Sequence, residues 1–131
     1  MKILIIGSSG ILGYSLYKEL SKTYKVYHTG LRKRLYDLTN KKNLIKVLDK
    51  KIDIVINCSA VTNIEYAEKN KRITNNINYQ LVKNILHFNK VKKFFFINFS
   101  TDQVYNSKKI SHNREENISF RGNYYTKSKI K

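Results

Sequence analysis

Two groups of residues in this chain have the types and spacing to do chemistry. Tyr125 and Lys129 stand four positions apart, and on a helix that spacing brings a phenol and an ammonium onto one face, one turn apart. A cation so placed favours the phenolate. A tyrosine held this way can give a proton to a carbonyl oxygen as hydride arrives, or remove one in the reverse direction. In isolation the pair says little, because the chain has 10 tyrosines and 26 lysines and arginines, and a solvated helix face reads the same way. Ser100 and Thr101, just before Asp102, add a hydroxyl at the end of an apolar run, where an ordinary turn or helix cap is the plainer reading.

The second group is Gly7-Ser8-Ser9-Gly10-Ile11-Leu12-Gly13, which holds three of the five glycines. Glycine is required there for a tight turn, for close approach of backbone N–H groups to phosphate, and for close helix–strand packing. A following helix would present its partial positive N-terminus to the same anion. The spacing, G-x-x-G-x-x-G, is one residue longer in its first gap than the G-x-G-x-x-G fingerprint. By itself it also fits a plain glycine-rich turn.

The elements that must position these groups follow from periodicity. Ile3 to Ile6 is an unbroken, mostly β-branched run, as a parallel strand buried on both faces requires. From Ile11 to Lys22, Leu12, Leu16 and Leu20 recur every four residues, predicting a helix with that stripe on a sheet and Lys18, Glu19 and Lys22 outward. Tyr24 to Thr29 reads as a second strand ended by Gly30, and Asn40 as the cap of a helix through Asn43 to Leu48. Asp53 to Asn57 and Phe94 to Phe99 read as further buried strands. Helical sequence lies between them, with Val82, Ile85 and Leu86 on one face of a helix over 77–88. Asn106 to Asn123 reads as a loop. Alternating strands and helices predict an α/β fold, a doubly wound parallel sheet of Rossmann type in one domain.

The formal net charge of +17 raises the question of nucleic acid, since phosphate neutralisation drives such binding. The lysines come as scattered pairs at element edges, and no nucleic-acid-binding motif accompanies them, so no nucleic-acid partner is expected. One cysteine, Cys58, excludes an internal disulfide. With neither a leader segment nor a long apolar span, a soluble cytoplasmic protein with no membrane partner is expected. Cys58 is expected to be a small, inert core residue.

Taken together, these residues resemble the extended short-chain dehydrogenase/reductase family, and within it the dTDP-4-dehydrorhamnose reductase branch. The resemblance runs through Gly7, Gly10 and Gly13, Asp53-Ile-Val-Ile-Asn57-Cys-Ser-Ala60, Thr62 with Ala67-Glu68, Asn78, Ser100-Thr101-Asp102 with Val104, and Tyr125 with Lys129. It implies an NADP(H)-dependent reduction of a nucleotide-linked 4-keto sugar, with Thr101, Tyr125 and Lys129 as catalytic trio and no required metal. The cofactor would be held at Gly7, Gly10, Ile11, Leu12 and Gly13, then at Ser59 and Ala60 after the third strand, and at Tyr125 and Lys129. Arg32, Asp37 and Leu38 complete the set beyond the second strand. NADP is favoured over NAD because no acidic residue ends the second strand to hold a ribose 2′-OH, while Arg32, Lys33 and Arg34 could pair with a 2′-phosphate; NAD stays open.

Departures from the pattern are Cys58 and Ser59 where two alanines are usual, Asn106 where a glycine is common, and no proline anywhere. The family also has a further strand–helix section and a smaller C-terminal substrate domain. The sheet is therefore expected to be incomplete at its C-terminal end, and the chain alone is expected to be inactive. A helix cut after one or two turns is marginal without packing partners, so Tyr125 and Lys129 are expected to fray. An epimerase or dehydratase of nucleotide sugars shares the trio. A non-catalytic nucleotide-binding regulatory protein, an inactive remnant and a homo-oligomer are further open readings.

Overall fold

The computed structural model describes residues 1–30, 37–105, 118 and 122–130. Four strands form one parallel sheet: β1 (Lys2–Ile6), β2 (Lys25–Thr29), β3 (Ile54–Asn57) and β4 (Phe95–Asn98). Their order is β2-β1-β3-β4. The chain leaves β1 toward one edge and returns to its other side at β3, so the sheet has its topological switch point between β1 and β3. Ligands of open α/β sheets bind outside the carboxyl ends of the strands at such a point.

Helices cover both faces, as a doubly wound sheet requires. α1 (Ile11–Leu20) lays Leu16, Tyr17 and Leu20 on Ile3, Ile5 and Ile56. On the opposite face, Leu4, Ile6 and Val55 pack with Leu44 and Leu48 of α2 (Lys41–Leu48) and Leu81 and Ile85 of α5 (Leu81–Lys92). The β1 side chains from Ile3 to Ile6 are almost wholly buried, each worth about 1.5–3 kcal/mol of transfer free energy. Asn40 caps α2 as its position predicts, its side chain accepting from the Lys42 N–H at 2.9 Å.

Three expectations change. Leu12 is half exposed and is not in the α1 stripe; the buried position one turn before Leu16 and Tyr17 is Gly13. α3 (Ile64–Lys69) and α4 (Lys71–Asn75) come first, and the helix expected over 77–88 follows them, but Ile77 to Gln80 belong to a π-helical turn, Asn76–Gln80, that runs directly into the regular α5. Its buried face is Leu81 and Ile85, with Phe88 partly covered and Leu86 exposed. β4 is shorter than the expected run from Phe94 to Phe99 and less covered than the interior strands, with Phe95, and Phe99 just past its end, exposed, because it is the edge strand of the described sheet. The expected loop at 106–123 lies outside the described residues except for Ile118, bridged to Tyr105, and the residues from Gly122 onward. Among the described residues no helix is long and apolar enough to cross a membrane.

Candidate functional site: a cleft at the switch point

The glycine turn is built by contacts that only glycine tolerates at two of its three positions. Gly7 has φ +83°, and a Cβ on it would lie 2.6 Å from the Ser59 backbone nitrogen. A Cβ on Gly13 would run into the Gly7 carbonyl oxygen. These two glycines let α1 start directly against β1 and β3. Gly10 differs: its backbone is ordinary extended, with φ −82° and ψ 164°, and a Cβ there would meet only the Gly7 oxygen, at 3.5 Å. The turn is further tied to β2, the Gly7 and Ser8 N–H groups donating to the Thr29 carbonyl at 2.9 and 3.0 Å.

The N-terminus of α1 thus opens on a cleft of about 340 Å³. Its cap residue, Gly10, offers no side-chain hydrogen bond, and the first helical turn carries no acidic residue. Among the described residues, the partial positive charge of the helix end therefore has no acidic side chain in its own first turn to offset it. Ile11, 92% exposed, and Leu12 add apolar surface at the same place. These features fit a dinucleotide pyrophosphate: room over a backbone without side chains, beside an uncompensated helix N-terminus.

The opposite walls of the cleft come from Asn57 to Ala60 after β3, Phe99 and Ser100 after β4, and Tyr125 and Lys129 of α6 (Tyr124–Ile130). Asn57 ends β3 and is 2% exposed. Its amide donates to the Asn98 side chain at 2.8 Å, and its oxygen accepts from the Ser59 hydroxyl and N–H at 2.6 and 3.2 Å. One buried asparagine thereby joins the ends of β3 and β4 and shapes the loop carrying Ser59 and Ala60. Cys58 is half-buried, packed against the Ile3, Ile5 and Ile56 cluster on one side and lining the cleft on the other; burial pushes its thiol up, away from the reactive thiolate.

The short helix α6 has packing partners after all. Tyr125, Thr126 and Ser128 are buried. Asn123 caps the helix by accepting from the Thr126 N–H at 2.9 Å, and Glu68 of α3 accepts from the Tyr124 N–H at 2.5 Å. Lys129 reaches across the cleft, its Nζ donating to the Phe99 carbonyl at 2.6 Å. Burial lowers the Lys129 pKa from its ordinary 10.5. Between that lowered value and 10.5 the unfolded chain holds a proton the folded chain has released, so this group makes stability rise with pH across that window. Urea unfolding of the protein and of Lys129→Met, compared from neutral pH upward, should show the wild type gaining on the variant as 10.5 is approached. A pH-independent difference would contradict the burial.

Of the residues expected to form the site, Gly10, Ile11, Leu12, Gly13, Ser59, Ala60, Tyr125 and Lys129 line this one cleft. Gly7, Asp37 and Leu38 line a smaller cavity of about 50 Å³ beside it, shared with Thr29, Gly30 and Ser59. Asp37 there accepts from the Thr39 hydroxyl and N–H at 2.6 and 2.9 Å. Thr101 stands one residue past the cleft wall. Among the described residues its hydroxyl makes long contacts with its own turn, donating to Asp102 at 3.3 Å and accepting from the Gln103 N–H at 3.4 Å. Arg32, Lys33 and Arg34 lie outside the described residues. Ser100, singled out with Thr101 for its hydroxyl, lines the cleft, as does Thr62. Not expected as wall residues were Asn57 and Phe99; Asn57 could have been noticed as a polar residue closing an otherwise apolar strand.

A family model described as the RmlD substrate binding domain matches residues 1–131. The dTDP-4-dehydrorhamnose reductase of Burkholderia thailandensis is 29% identical over 131 residues, which cover 99% of this chain and 43% of that protein. Among solved structures, a hypothetical dTDP-4-dehydrorhamnose reductase from Sulfolobus tokodaii is 32% identical with a TM-score of 0.88, the match covering 99% of this chain and 50% of that one. The dTDP-4-dehydrorhamnose reductase of Bacillus anthracis, solved in complex with NADP, is 27% identical with a TM-score of 0.88, covering 98% and 46%. The chain spans half or less of the length of these relatives. With its Rossmann-type sheet, its glycine turn and a match along its whole length, the chain belongs to the RmlD substrate binding domain family, among the extended short-chain dehydrogenases/reductases.

Proposed function

We propose that this chain is the cofactor-binding part of an NADP(H)-dependent reductase acting on a nucleotide-linked 4-keto sugar. The observation that carries the reading is the single cleft in which the uncapped N-terminus of α1 faces Tyr125 and Lys129. The Bacillus anthracis relative with NADP adds support.

NADPH, when bound, supplies the hydride. The chain's own residues have three tasks. Gly7, Gly10 and Gly13 clear space for the pyrophosphate, and the backbone of Ile11 and Leu12 opens the helix dipole to it. Gly30, Asp37 and Leu38 bound the smaller cavity, assigned to the adenine end, with Arg32 assigned to the 2′-phosphate. Ser59 and Ala60 wall the channel toward Tyr125. There Tyr125 donates the proton to the carbonyl oxygen, Lys129 holds the nicotinamide ribose and supports the developing phenolate, and Thr101 exchanges its long local contacts for the carbonyl oxygen.

Fluorescence titration of the 131-residue chain tests the reading. NADPH should bind, and more tightly than NADH at moderate salt. Equal affinities would remove the assignment of Arg32, and binding of neither would remove the cofactor site.

A further inference from the structure

We propose that Ser128 is a positioning residue for Tyr125 and Lys129, locking α6 to the loop after β3 through Asn78. The inference rests on the dinucleotide reading above. Ser128 is 1% exposed and Asn78 4%, so each buries polar atoms that must find partners. The Asn78 amide donates to the Ser128 hydroxyl at 2.8 Å, and that hydroxyl donates to the Tyr125 carbonyl at 2.6 Å. On its other side Asn78 pairs with the Val61 backbone, accepting from its N–H at 2.8 Å and donating to its carbonyl at 3.0 Å.

A serine hydroxyl has one proton, and here it is committed to the Tyr125 carbonyl, which leaves its lone pairs for Asn78. The result is one directed chain from Val61 through Asn78 and Ser128 to the backbone of Tyr125. Val61 directly follows Ser59 and Ala60, which wall the cleft. The two sides of the cleft are thus held to each other by side chains that do not face the ligand. Asn78 sits in the π-helical turn between α4 and α5, an irregularity that often marks a functional constraint. α6 is held to its surroundings at both of its described turns. Asn123 and Glu68 fix its first turn, and Ser128 fixes the turn that carries Lys129. Serine is otherwise a poor choice there, since alanine is the better helix former and has no hydroxyl to satisfy.

Calorimetric titration of the 131-residue chain with two probes separates positioning from general support. NADPH spans the cleft to Tyr125 and Lys129, whereas 2′,5′-ADP lacks the nicotinamide riboside and stops at the glycine turn. Ser128→Ala should weaken NADPH about fivefold, the effect of one lost hydrogen bond, while 2′,5′-ADP binds as in the wild type. In a Lys129→Met background the same change should cost nothing further. If Ser128→Ala fails to fold, Ser128→Cys, which fills nearly the same space and offers only a weak S–H donor and acceptor to Tyr125 and Asn78, should give the same pattern. Equal losses for both probes, or undiminished NADPH affinity in a folded variant, would overturn the proposal. Wild-type protein that binds neither probe would overturn the dinucleotide reading and this inference with it. Wild-type protein that binds 2′,5′-ADP alone would overturn the inference while leaving the glycine turn as a phosphate site.

Discussion

Gly13→Val should leave no folded protein, whereas Gly10→Leu should fold and fail to bind NADPH. The two positions look alike in sequence and differ in what surrounds them. At Gly13 a new side chain strikes the Gly7 carbonyl and comes within 2.9 Å of the Ser8 Cα. Those are backbone atoms fixed by their hydrogen bonds to Thr29, so the collision cannot be relieved by a rotamer change. It should cost more than about 3 kcal/mol, beyond the usual overpacking penalty. At Gly10 the backbone is in a region open to any residue and a Cβ touches nothing closer than 3.5 Å. A leucine there occupies the mouth of the cleft instead, and should weaken NADPH by more than about 100-fold, or about 2.8 kcal/mol. Circular dichroism with a thermal melt reads the first effect, and NADPH titration reads the second. A stable Gly13→Val, or a Gly10→Leu that binds normally, would show that the turn is not the close-packed phosphate cradle described above.

The other large effect concerns the proton. Under the proposed reaction, Tyr125→Phe should lower kcat for NADPH-dependent reduction of a dTDP-4-keto sugar by about 10²- to 10⁴-fold, the usual contribution of a positioned acid. Tyr125 is 8% exposed, with its ring packed into the cleft wall. Phenylalanine keeps that packing and removes the hydroxyl alone. The measurement is made at saturating NADPH and substrate, so that altered binding does not enter, on this chain joined to a C-terminal substrate domain of its family, since the chain alone is expected to be inactive. A loss smaller than about tenfold would assign the proton to another group.

Much of this architecture was legible because the signals were local and regular. The unbroken run Ile3 to Ile6, three glycines and a leucine stripe specify strand, turn and helix within twenty residues, and the structure has all three. Asn40 was legible as a cap for the same reason. What escaped was set by irregular backbone or by distant partners. Counting periods from Ile77 assumes a regular helix, but the π-helical turn at Asn76–Gln80 adds a residue, and each residue rotates the face by about 100°. The buried side falls on Leu81 and Ile85, so that of the expected face Val82, Ile85 and Leu86 only Ile85 is fully buried. Leu12 continues the sequence stripe, yet it lies where α1 has already left the sheet for the cleft. Asn78 stands three and seven positions before Leu81 and Ile85, on the same buried stripe. A polar residue in such a stripe is the one local sign of the Ser128 link, whose partner lies fifty positions away.

The sheet order also governs how this protein is made. β1 is made before the other three strands of the sheet and is the most completely buried of them, flanked by β2 on one side and β3 on the other. Ile3 pairs with Ile54, so one flank of the most apolar segment waits for a strand roughly fifty residues downstream. At about 5–20 residues per second that interval is roughly 3–10 s. During it, a run of four apolar side chains with an open hydrogen-bonding edge is available to any neighbouring nascent chain. Yield in a cell should therefore depend on translation speed and on chaperones that shield nascent apolar segments, more than on the final stability of the fold.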